Sequence, residues 1–190
     1  MAAKKYADDY ENVTATDIKG RERKEAVYRG EYYTVNLDAE EIKPFQRKSL
    51  IITAGILILH LLGGFIGNRG MYQFYVSLPY VFAFLPLYFM FSGALRIPKE
   101  KRRYHRDETS TSYSHMKTAG TALLALLLIA VIGEGVFLLI HRNLGIAQLE
   151  YYFLGVEAIA AALALLFFQL QKTIMIEKEP AAQEQAEKQG

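Results

Sequence analysis

Three ionisable side chains, His60, Glu134 and Glu157, lie inside long apolar stretches and are the residues of this chain best placed to do chemistry. An imidazole and two carboxyls can pass a proton among themselves, hold a ligand or bind a metal. His60 stands eight residues before Asn68, Glu134 nine before Asn143, and Glu157 nearly the same helical distance beyond the second turn. At the helical rise per residue all three sit at similar depth, roughly 10–13 Å inside the outer boundary. A charge at that depth costs ~2.5–3.5 kcal/mol on insertion scales. The three side chains are therefore expected to face a bundle interior, where a common depth lets them meet. The plainer expectation is that they only join helices, since such polar contacts contribute ~0.6 kcal/mol on average. One His and two carboxylates suit zinc, but their spacing forms no local ligand motif, so no metal, cofactor or catalytic residue is assigned.

The elements that must position these groups are four apolar stretches, Leu50–Gly67, Phe74–Leu95, Ala119–His141 and Tyr151–Leu170. Each approaches the ~20 residues a helix needs to cross a bilayer. Small residues point to where the helices come close. Gly63 and Gly67 share a face with Thr53 and His60, and Gly133 and Gly135 flank Glu134. All four glycines are expected to serve helix packing. The second stretch holds eight aromatics together with Pro79 and Pro86. Those prolines free the carbonyls of Tyr75 and Phe82, which Ser77 or Tyr80 could answer.

Charge placement gives the orientation. Of 22 Lys and Arg, ten precede the first stretch, seven lie between the second and third, and three follow the fourth. Only Arg69 and Arg142 occupy the other two connections. The positive-inside bias then puts both termini and the central loop in the cytoplasm. No secretory signal opens the sequence, so the first stretch acts as a retained anchor. The absence of cysteine excludes disulfides and thiol chemistry.

The chain is accordingly read as an all-α integral membrane protein of four transmembrane helices, arranged as two in-out-in hairpins. Residues 1–48 form a cytoplasmic N-terminal segment, disordered to about residue 26 and then a short strand and helix collar. Within it, 27–35 has strand character, and Asp38 with Glu41 caps a short helix interrupted or restarted at Pro44. The first hairpin covers 49–95, a basic cytoplasmic loop 96–118, the second hairpin 119–171, and a frayed tail 172–190. In the loop, Lys99, Lys101, Arg102, Arg103 and Arg106 are topology determinants and a candidate site for anionic lipid headgroups. The outer turns, Asn68-Arg-Gly-Met-Tyr-Gln73 and Asn143-Leu-Gly-Ile-Ala-Gln148, repeat an Asn-x-Gly-x-x-Gln pattern at an offset of 75 residues. A parallel internal repeat would follow if this is a duplication, although Asn and Gly also suit turns on their own account.

Composition narrows function mainly by exclusion. The net charge of +2 is small and the basic residues flank helices, so nucleic acid is not an expected partner. No phosphate loop, HExxH or nucleophile elbow is present, and an enzyme would rest on the Glu/His set alone. The expected partners are the lipid bilayer and other membrane proteins, as a homo- or hetero-oligomer. The leading expectation is an accessory, regulatory or scaffold subunit in a plasma membrane, with a bacterial inner membrane favoured. The alternative is a small oligomeric proton-coupled transporter using the intramembrane Glu and His.

Overall fold

Four long helices dominate the computed structural model, which describes residues 6–16, 22–141 and 147–179. They are α1 (Ala39–Gly64), α2 (Phe74–Leu95), α3 (Arg106–Ile140) and α4 (Ala147–Lys172), and all four are long and apolar enough to cross a membrane. Each helix packs on the next and α4 returns to α1, so the bundle closes. Its centre is filled by Ile56, Ala83, Met90, Leu127, Ala160 and Phe167. Small residues on α4 let the helices approach while aromatics fill the remaining space.

Helix α1 begins at Asp38, where the Glu41 carboxylate accepts the Asp38 amide at 3.0 Å, as the capping pair predicts. It then runs unbroken through Pro44, contrary to the expected interruption. Pro44 and Glu40 are both exposed, so the Glu40 carbonyl that the proline deprives of a donor can turn to water. Similarly, α2 passes through both of its prolines.

The basic loop is shorter than expected. Residues 106–117 form the first turns of α3, which start at His105, capped by Glu108 through its amide at 3.0 Å. A π-turn at Ser110–Ser114 leads into the apolar body. Ser and Thr read as loop formers, but here their hydroxyls bond back to the helix. Thr111 donates to the Asp107 carbonyl at 2.8 Å and Ser112 to that of Glu108 at 2.6 Å, a pattern that bends helices without ending them.

Among the described residues five strands gather at that end of the bundle. β1 (Tyr10–Thr16) and β2 (Glu22–Tyr28) form an antiparallel pair with Tyr10 opposite Tyr28. β3 (Tyr32–Val35) lies between β4 (Tyr104–His105) and β5 (Ile176–Lys178). Tyr33 pairs with both Tyr104 and Lys178. This collar corrects two expectations: part of 1–26 is an antiparallel strand pair, and the segment after Gln171 adds a strand rather than fraying at once. The fold is therefore mostly helical, with a small sheet uniting three distant segments. The expected Asn143 turn lies outside the described residues.

Candidate functional site

His60 on α1 and Glu157 on α4 meet in the centre of the bundle, each 0% exposed. The imidazole Nδ1 stands 3.1 Å from both carboxyl oxygens. Its Nε2 lies 3.0 Å from the Tyr80 carbonyl on α2, and the Tyr80 hydroxyl donates back to the His60 carbonyl. A carbonyl can only accept, so Nε2 carries a hydrogen. A hydrogen bond between Nδ1 and Glu157 then needs one further proton, carried by either partner. The Tyr80 ring lies tilted with its centroid 4.0 Å from that of the imidazole, and Phe84 lies 4.8 Å away, closing the pair in aromatics. Three helices are tied through one side chain.

Glu134 on α3 has different partners. It is 0% exposed and faces the turn between α1 and α2, where the Asn68 amide approaches its carboxyl at 3.4 Å. That turn tucks inward: Asn68 and Gly70 are buried, and Glu150 at the start of α4 accepts the amides of Arg69 at 2.7 Å and Gly70 at 3.2 Å. The carboxyls of Glu134 and Glu150 are within hydrogen-bonding reach of each other. Such a bond requires a proton on one of them. Glu134 Oε1 and Asn68 Oδ1 are buried without a partner.

The expected cluster is thus two sites. His60 joins Glu157, while Glu134 joins Asn68 and Glu150. Glu150 escaped the sequence reading because it stands one residue before an apolar stretch, where an acidic side chain ordinarily reaches water. The usable signal was a lone carboxylate beside two connections that carry only two cations in the sequence, Arg69 and Arg142. Among the described residues no three His, Asp or Glu side chains converge as a metal would need.

The four glycines have unequal surroundings. A Cβ on Gly63 would stand 2.6 Å from Glu157 Oε1, so the glycine is what admits the carboxylate beside α1. A Cβ on Gly133 would stand 2.9 Å from the Tyr75 carbonyl, the one freed by Pro79. Neither Ser77 nor Tyr80 answers that carbonyl: Ser77 bonds Gln73 and Tyr80 bonds His60. A Cβ on Gly67 or Gly135 would meet nothing within 4 Å.

The basic run is largely engaged at the collar. Lys101 pairs with Asp38 at 2.8 Å, Arg102 with Glu108 at 2.5 Å and Arg103 with Glu179 at 2.6 Å. Arg106 gives its backbone amide to the Tyr28 hydroxyl at 3.0 Å, and Lys99 is exposed. Lys101 holds the Asp38 carboxyl below its usual range, and Lys178 does the same to Glu31 by hydrogen bond and charge. A cavity of about 530 Å³ opens between the ends of α3 and α4, and one of about 330 Å³ lies between α2 and α3. Neither is lined by His60, Glu134, Glu150 or Glu157.

Comparison of the chain with protein-family models, with curated proteins and with solved structures finds no match.

Proposed function

We propose that this protein works by association, as an accessory, regulatory or scaffold subunit of a complex in a cell membrane. The observation that carries the reading is the closed His60–Glu157 pair. Both nitrogens of that imidazole are used within the bundle, and neither cavity described above is lined by it. A four-helix core filled by side chains leaves no pathway through one copy. What remains for function is the outside: an apolar belt and a charged collar. On α2 the belt presents Val81, Leu85 and Tyr88, all more than half exposed.

The topology belongs to the same reading. Both termini and the basic segment lie in the cytoplasm, with Arg69 and Arg142 opposite. The sheet supports it, because β3, β4 and β5 can pair only if the segments before α1, between α2 and α3, and after α4 share one side. The repeat proposal has less behind it. The 75-residue offset matches Glu134 to Leu59, Glu157 to Phe82 and His60 to Gly135, so none of the buried ionisable groups recurs.

Purification in mild detergent with identification of what copurifies tests the association. A discrete stoichiometric partner or a defined homo-oligomer is expected, and a monodisperse monomer with no partner would refute it. A second reading, proton-coupled transport by an oligomer, draws on the Glu134–Glu150 contact and the unpartnered oxygens Glu134 Oε1 and Asn68 Oδ1. Proton uptake by proteoliposomes containing the protein alone would favour it.

A further inference from the structure

Where the apolar part of α3 meets the collar, the cavity of about 530 Å³ is lined by Tyr113, Ser114, Lys117 and Thr118 of α3, and by Gln171 and Lys172 at the end of α4. Ile174, Met175 and Ile176 supply an apolar edge. We propose that this cavity binds a phosphate-bearing group, with Lys117 and Lys172 as its cations and Gln171 as its buried donor.

Four features of the cavity point to an anion. Gln171 is 1% exposed, yet its side-chain Nε2 has no hydrogen-bond partner, and a buried donor left unmade costs about 1–3 kcal/mol. Lys117 and Lys172 take part in none of the ion pairs among the described residues, whereas the nearby Lys101, Arg102 and Arg103 are each matched to a carboxylate. Ser114 and Thr118 add hydroxyls that can donate to phosphate oxygens. Two of the carbonyls ending α4, which would repel an anion, are already capped, as is the next one beyond the helix, that of Thr173. The Thr173 hydroxyl donates to Leu170 at 2.8 Å, the Ile174 amide to Gln171 at 3.2 Å, and the Asn36 amide to Thr173 at 2.8 Å.

The position adds to the chemistry. The π-turn at Ser110–Ser114 ends on the cavity wall, and such turns occur often at functional sites. The cavity also lies where the long apolar faces of α3 and α4 give way to charged residues, the level of lipid headgroups if the bundle spans a bilayer. A lipid phosphate and a soluble phosphate compound would make the same contacts, and the experiment separates them.

The full chain in detergent is titrated with short-chain phosphatidic acid, short-chain phosphatidylcholine and inorganic phosphate, following its thermal unfolding. Saturable stabilisation by phosphatidic acid, at least tenfold tighter than by phosphatidylcholine, is expected. It should be lost in the Lys117→Gln/Lys172→Gln double variant and weakened in Gln171→Leu. Equal affinity for inorganic phosphate would assign the site to a soluble phosphate compound, and preference for phosphatidic acid to a lipid. Both lysines are exposed, so the double variant should fold as the parent does. No saturable binding of either phosphate, or binding unchanged in both variants, overturns the proposal. Neither result bears on whether the protein associates with a partner.

Discussion

His60 and Glu157 stand 97 residues apart in sequence and 3.1 Å apart in space, and their contact joins α1 to α4. Through Nε2 the same imidazole reaches the backbone of α2 at Tyr80. The pair is thus a cross-brace among three helices, and Gly63 gives it the room it needs. Glu157→Gln should keep most of the brace, costing ~1 kcal/mol, because an amide can still bond Nδ1. Glu157→Ala leaves Nδ1 of the imidazole unpartnered and should cost ~3 kcal/mol. Unfolding in mixed detergent micelles measures both, and equal losses for the two variants would contradict the brace.

Gly133 and Gly135 should respond in opposite directions to the same change. At Gly133 a methyl meets the Tyr75 backbone, which cannot move aside as a side chain could, so Gly133→Ala is expected to cost ~1–3 kcal/mol. At Gly135 a methyl meets nothing, and Gly135→Ala should gain up to ~1 kcal/mol from helix propensity. Unfolding midpoints of the two variants, compared side by side, decide the matter.

The four helices were legible because a bilayer-length apolar run is a signal each segment carries alone. The depth argument also found His60 and Glu157, since both lie well inside their runs. It placed Glu134 inside the bundle but wrongly with the other two, because helical distance from Asn143 gives depth alone, whereas Asn68 and Gly70 fold inward and Asn68 meets the carboxyl. The collar was illegible for another reason. Val35 pairs with Ile176 across 141 residues, and no local pattern announces a three-residue strand of that kind. The hydroxyl-rich run before His115 reads as loop by propensity, and packing beneath the collar overrides it: Ser112 and Tyr113 are buried.

The collar should answer to pH at both extremes. Lys101 and Lys178 lower the carboxyls of Asp38 and Glu31, so these pairs hold the collar above the ordinary carboxylate value of ~4 and release it as pH falls through the depressed folded values. Glu31 in turn raises Lys178, so that pair persists below ~10.4 and is lost as pH rises through the elevated folded value. Spin labels on cysteines introduced at Thr34 and Glu177, which lie opposite each other in the sheet, should stay close between those limits and separate beyond them. Lys178→Gln should remove the high-pH transition and leave that of Asp38 in place. A separation indifferent to pH would show that backbone pairing alone holds the sheet.

Glu134 and Glu150 share a contact but should not be equally replaceable. In Glu134→Gln the new amide can donate to the neighbouring Glu150 carboxylate, so stability should change by less than ~1 kcal/mol. Glu150 accepts two backbone amides, those of Arg69 and Gly70, with its two oxygens. Glu150→Gln keeps one acceptor for two donors and should cost ~1–3 kcal/mol, with Glu150→Ala costing more. The order of stabilities therefore tests the turn-clamping role of Glu150. The same variants separate the two functional readings. For a subunit that works by association, Glu134→Gln should assemble with its partner as the parent does. For a proton-coupled transporter, it should abolish pH-driven uptake into proteoliposomes while the yield of folded protein stays unchanged.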